Sequence, residues 1–117
     1  MRLVHDPAGG GRRVLATEVE TADSLVSQGL GLMFRRSIPD DYALVFRFDG
    51  RGRRHLHMLF VPFDIDAAWL VEGEVRRVSR LSAWTGHGGA RADTVVEAPA
   101  GALSGVEPGD AVRLADE

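Results

Sequence analysis

Two histidines stand two residues apart at His55 and His57, and two aspartates do the same at Asp64 and Asp66. Residues i and i+2 of a strand share a face, so each pair would present its side chains together. An H-x-H pair supplies two imidazole nitrogens to a metal, and Asp66 or His87 would complete a third ligand. The set His55, His57 and Asp66 would make a metal-assisted hydrolase. A D-x-D pair offers two carboxylates to a hard cation, or lets them share a proton. The plainer readings are two half-exposed strand histidines and, for Asp64, a solvated strand end. A metal site needs three or four convergent ligands, and the sequence shows only two side by side.

Asp66 has a second use. It follows Ile65 and precedes the apolar Ala67-Ala68-Trp69-Leu70, where a charge is costly without a partner. It would serve as a ligand contact or a general base in a desolvated setting. The structural alternative is a carboxylate that accepts backbone N–H groups from the Val61–Phe63 turn or pairs with Arg35. Asp66, His57 and Arg35 form the preferred candidate ligand site. Arg51, Arg53 and Arg54 cluster near a hairpin tip, and Arg76, Arg77 and Arg80 lie on a later strand. Together they could offer phosphate or RNA a cationic surface. An acidic overall balance and a lack of flanking exposed aromatics favour a solvated edge that discourages strand-to-strand aggregation.

Other motifs carry less. The serines sit in no G-x-S-x-G context. Gly9-Gly10-Gly11 lacks the lysine and the ending of a phosphate loop, which leaves a flexible connection. Trp84, Thr85 and His87 border a Gly-rich loop that could form the lip of a pocket or an ordinary surface loop.

The elements that must position these residues come from periodicity and punctuation. The 117 residues, 44% hydrophobic, suit one domain spanning 1–117. Alternation predicts strands over 13–20, 42–48, 53–61, 65–71, 74–81, 94–98 and 111–114, with a short one at 2–5. Thr21 is read as the cap of a helix, with Asp23 in its first turn and Leu25, Val26, Leu30 and Met33 at helical spacing. Residues 86–93 read as a Gly-rich loop, and 99–105 as a turn or short helix. The expected fold class is α+β: mostly antiparallel β, a compact or barrel-like sheet with one or two short helices.

Composition excludes some chemistry. All fourteen basic residues are arginine, so no lysine can form a Schiff base or act as a general base. Cysteine is absent, which removes disulfides and thiolate sites. Net charge is −3, so no global attraction to nucleic acid or anionic lipid is expected. No apolar run reaches membrane-spanning length, and residues 1–7 lack the apolar core of a signal peptide. The chain is read as cytoplasmic, with no cofactor, and with a small molecule or a protein as its partner. Nucleic acid and membrane are not expected.

Several segments in order resemble one family. Gly31-Leu32-Met33-Phe34-Arg35 resembles its G-L-M-x-R signature, and Leu44-Val45-Phe46 its central strand. His57-Met58, Phe60, Phe63, Ile65-Asp66 and Trp69-Leu70 are similar to its H-M-x-F-x-x-F-x-I-D-x-x-F-L variant. Glu97-Ala98-Pro99-Ala100-Gly101 and Gly109-Asp110 resemble its E-x-P-A-G and G-D segments. The family is the domain-of-unknown-function family 192, also called uncharacterised protein family 0127, and the resemblance runs over residues 14–114. It implies a small β-rich single domain and no established reaction. The commoner M-K-N-T-x-x-P-L-D pattern is altered here: Leu59, Phe60 and Val61 replace Lys-Asn-Thr, and Asp64 replaces Pro. These observations together are read as a non-enzymatic domain that binds a ligand or a protein.

Overall fold

The computed structural model describes residues 1–22 and 31–116. Eight strands run through them: β1 (Arg2–Asp6), β2 (Arg13–Ala16), β3 (Glu18–Ala22), β4 (Tyr42–His57), β5 (Ile65–Val71), β6 (Glu74–Leu81), β7 (His87–Pro99) and β8 (Ala111–Ala115). They form one mixed sheet in the order β2-β1-β8-β6-β5-β7-β4-β3. β3 and β4 pair in parallel, from Glu18↔Tyr42 to Ala22↔Phe46, while the other neighbours are antiparallel.

The expected α+β class is therefore corrected to all-β: no helix occurs among the described residues. Residues 23–30, where most of the first expected helix falls, lie outside the described residues. Its expected cap, Thr21, is a strand residue paired with Val45, and Met33 lies in a turn. The second, over 99–105, is a series of turns stitched by Ala102 N→Pro99 O, Ser104 N→Gly101 O and Val106 N→Leu103 O. Gly101 and Gly105 take φ of +92° and +85°, which no continuing helix would accept. No helix among the described residues is long and apolar enough to cross a membrane.

The two edge strands of the sheet, β2 and β3, are separated in sequence by Thr17 alone. The sheet must curl until its edges meet at that residue. Asp41 fastens the corner: its carbonyl accepts the N–H groups of Thr17 and Glu18, both at 3.0 Å, and its carboxylate accepts the Thr17 hydroxyl at 2.7 Å.

The central strands bury both faces, as the run of β5, buried at every residue, requires. One apolar cluster draws side chains from all eight strands: Leu3, Ala16, Val19, Val45, Leu70, Val75, Val96 and Val112. It fills the inside of the curl. The alternate residues of the same strands, including Leu44, Phe46, Ile65, Trp69 and Val95, form a second cluster under Leu32, Met58 and Val61 of the turns. The expected strands 42–48 and 53–61 are one strand, β4, whose register against β7 shifts between Arg47 and Gly52. The glycines of 86–93 lie mostly in β7 rather than in a loop. A Cβ on Gly88 would stand 3.4 Å from the Trp69 ring, and one on Gly89 would stand 3.3 Å from the Arg54 carbonyl. These glycines permit close packing of the ribbon.

Candidate functional site

Where β3 lies beside the turn at 31–35, a cavity of about 270 Å³ opens between Glu20, Thr21, Ala22, Gly31, Met33, Arg35 and Leu44. Parallel pairing with β4 holds Glu20 beside Leu44. Gly31 adopts φ +48°, and a Cβ there would sit 3.3 Å from the Phe46 ring and 3.5 Å from Glu97 Oε1. A side chain at 31 would be strained in the backbone and pressed against both groups.

Arg35 crosses the mouth of the cavity. Its Nη1 donates to the Tyr42 hydroxyl at 2.8 Å and to Glu20 Oε1 at 3.4 Å, with the guanidinium 5.3 Å from the Tyr42 ring centre. Burial pulls the Arg35 guanidinium down, but Tyr42 and Glu20 push it further up, and the balance is upward. Burial likewise drives the Tyr42 phenol up to about 12, against the opposing charge of Arg35. Beneath lies Glu97 on β7, directly across from Leu44. It is 5% exposed, and burial lifts its carboxyl to about 7, with Arg35 holding it back. A guanidinium on the wall of the cavity can anchor an anionic group.

Of the residues singled out in the sequence, Arg35 borders this cavity and Asp66 and His57 stand elsewhere. Asp66 is buried on β5. Its Oδ1 accepts from Arg80 Nε at 2.9 Å, and its Oδ2 accepts from the N–H groups of Gly101 and Leu103 at 2.9 and 3.1 Å. The carboxylate thus anchors the turns at 100–105. Asp64 accepts the Ala83 N–H at 2.8 Å. His57 is exposed at the end of β4, and its Nδ1 accepts from Leu59 N at 3.3 Å. The rings of His55 and His87 lie 5.5 Å apart. Among the described residues, no three His, Asp or Glu side chains gather as a metal site. Of the two arginine groups, Arg51 and Arg76 line one cavity together with Arg91, while Arg51 also pairs with Glu72 at 3.0 Å, Arg54 lies over the Phe48 ring, Arg77 stands 5.4 Å from the centre of the Trp69 ring, and Arg80 meets Asp66.

Two polar features escaped sequence reasoning. Glu97 carried the signal that marked Asp66, a carboxylate within an apolar strand. The other is buried His5, whose Nε2 lies 2.8 Å from Asp110 Oδ2 while its Nδ1 accepts from Arg13 Nε at 3.2 Å. With Nδ1 accepting, Nε2 is the donor to Asp110. The Asp110 carboxylate also accepts from the Ala8 and Glu107 N–H groups, and these bonds together with His5 hold it down to about 2. Arg13 further bonds the Ser104 carbonyl. This network ties the first strands to the last turns, and only the fold brings its members together.

Fold and site together define a small domain whose described residues are all-β: a curled mixed sheet with a cavity beside its parallel edge, bordered by Glu20, Thr21 and Arg35. The chain belongs to the DUF192 family, "Uncharacterized ACR, COG1430", whose family model matches residues 7–114. Its fold is similar to that of a "putative transcription regulator" from Sinorhizobium meliloti 1021, with a TM-score of 0.84, 24% identity, and coverage of 96% of this chain and 91% of that one. It is also similar to a protein of unknown function from Novosphingobium aromaticivorans DSM 12444, with a TM-score of 0.80, 21% identity, and coverage of 97% and 84%. At these identities the likeness concerns the fold. No curated protein matches the sequence.

Proposed function

We propose that the domain binds a small organic anion in the cavity between β3 and the 31–35 turn, with Arg35 as its anchor. The observation that carries this reading is the Arg35 guanidinium on the wall of a cavity that Glu20, Thr21 and Leu44 also line, held there by the Tyr42 hydroxyl. Arginine has five N–H donors, and among the described residues the side chain of Arg35 bonds Tyr42 and Glu20 through Nη1 alone. Glu20 is an exposed partner at 3.4 Å, so an incoming carboxylate can displace it at little cost. Binding is favoured over hydrolysis because the Asp66 carboxylate is already committed to Arg80, Gly101 and Leu103.

The test is a panel of small mono- and dicarboxylates, followed by thermal shift and by amide NMR shifts. A binder should move the amides of Ala22, Gly31 and Leu44, and Arg35→Gln should weaken it about tenfold or more. Shifts mapping to another face, or an affinity untouched by Arg35→Gln, would sink the proposal.

A further inference from the structure

Beyond the cavity, the outer half of β4 and the first half of β7 form a two-stranded ribbon with an uncommon surface. Segments 50–62 and 82–92 hold four arginines, three histidines and no carboxylate. Register sets Arg53 opposite Arg91, His57 opposite His87, and His55 opposite Gly89. Directly opposed residues and i, i+2 neighbours share a face. Arg53, His55, His57, His87 and Arg91 therefore line one side of the ribbon, and all five are exposed. The other side packs Leu56 and Ala90 against the core. Like charges placed directly opposite one another are destabilising. Arg51 is compensated by Glu72, but among the described residues neither Arg53 nor Arg91 is in an ion pair.

A second observation stands at the end of this stripe. Phe34 N donates to Phe60 O at 2.8 Å, Trp84 N to Val61 O at 3.0 Å, and Met58 N to Gly86 O at 3.0 Å. These bonds hold the turns at 31–35, 58–61 and 83–85 side by side, next to the His57–His87 pair. The turns display Phe34, Leu59, Phe60 and Trp84, which are 67%, 56%, 50% and 54% exposed. Phe34 and Phe60 stack with ring centres 4.9 Å apart. Phe34, Phe60 and Trp84 take φ of 67°, 60° and 66°, a region that bulky side chains rarely occupy. Exposure and strain are both costs that the isolated domain does not recover, and their coincidence marks a contact surface.

We propose that this ribbon and the aromatic turns at its end bind single-stranded nucleic acid. The guanidinium and imidazole groups suit a phosphodiester backbone, and the spacing of Arg53, His55 and His57, about 7 Å apart along β4, offers successive contacts to an extended chain. The exposed rings suit unpaired bases, which stack on aromatic faces without sequence preference. A duplex hides those base faces, and an acidic peptide would leave the rings idle. The net charge of −3 does not oppose this, because it belongs to the whole chain, whereas the exposed Arg53, His55, His57, His87 and Arg91 share one face and Glu72 pairs with Arg51. Sequence reasoning set nucleic acid aside for want of flanking aromatics; the fold brings Phe34 and Trp84 in from distant turns.

The experiment is fluorescence anisotropy of a short labelled oligouridylate and oligothymidylate across a salt series. Wild type should bind both strands more tightly than a duplex of equal length. Arg53→Ala with Arg91→Ala should weaken binding and lower the salt slope by about 1.4, two contacts at about 0.7 each. Phe34→Ala with Phe60→Ala should weaken it about tenfold and leave that slope unchanged. All these side chains are exposed, and circular dichroism checks that each variant is folded. Absence of binding at low salt, or wild-type affinity in the arginine variant, overturns the proposal. So does equal displacement by polyglutamate with no effect of the ring variant, which would assign the surface to an acidic peptide.

Discussion

Glu97 shows how one side chain ties stability to pH. Its carboxyl is raised from 4.5 to about 7 by burial, so the folded state holds this proton more tightly than the unfolded state. The stability it contributes is fully present below about pH 4.5 and is lost as pH rises through 7. By pH 8 the buried charge costs about 3 kcal/mol relative to acid. Urea unfolding of Glu97→Gln at pH 5 and pH 8 should show that difference nearly abolished; an unchanged difference would place the titrating group elsewhere. Asp66 gives the contrast. That a carboxylate between Ile65 and Ala67 needs donors was legible, because a lone charge in an apolar strand cannot stand unpaired. Which donors it finds was not, since Gly101 and Leu103 lie 35 and 37 residues away. Arg35 could be marked from its neighbourhood, whereas its link to Glu97 depends on two strands meeting.

The elements were read best where alternation is strict. Tyr42–Phe48 alternates in sequence and forms the start of β4, and the apolar run Ile65–Val71 forms β5, buried on both faces. Glycine misled the reading in two places. Residues 50–52 pass through a register shift inside β4 instead of ending it, and Gly88 and Gly89 serve close packing instead of a loop. Glycine reports freedom of the backbone, and a turn, a bulge and a tight contact all use that freedom. The turns at 31–35, 58–61 and 83–85 go the other way and force aromatic residues into left-handed geometry. At Phe34, Phe60 and Trp84, comparing Gly with Ala removes the ring in both variants and isolates the backbone. The glycine variants should be more stable than the alanine variants by about 1 kcal/mol, the reverse of their order in regular structure. Chemical denaturation of the six variants measures this, and an ordinary alanine advantage would mean these turns carry no such strain.

At the scale of the whole molecule, the order β2-β1-β8-β6 places the first strands against the last. β1 pairs with β8 along its length, from Arg2↔Ala115 to Asp6↔Ala111, while His5, Arg13 and Asp110 lock the same region. None of this closure was legible, because strand periodicity says which residues face inward and nothing about which strand lies next door. A chain ending at Asp110 should lose the partner of β1 and the Val112 side chain of the inner cluster. Its thermal unfolding should be broad or absent, and retention of one sharp transition at the parent temperature would show that β1 is held without β8. The meeting of the two ends also bears on how the protein is made. Leu3 and Val4 leave the ribosome well before their β8 partners Leu114 and Arg113. In that interval β1 carries apolar side chains with no β8 to pair with. β1 can pair with β8 only after residues 111–115 have emerged, and until then it is a client for whatever shields nascent apolar chain from aggregation.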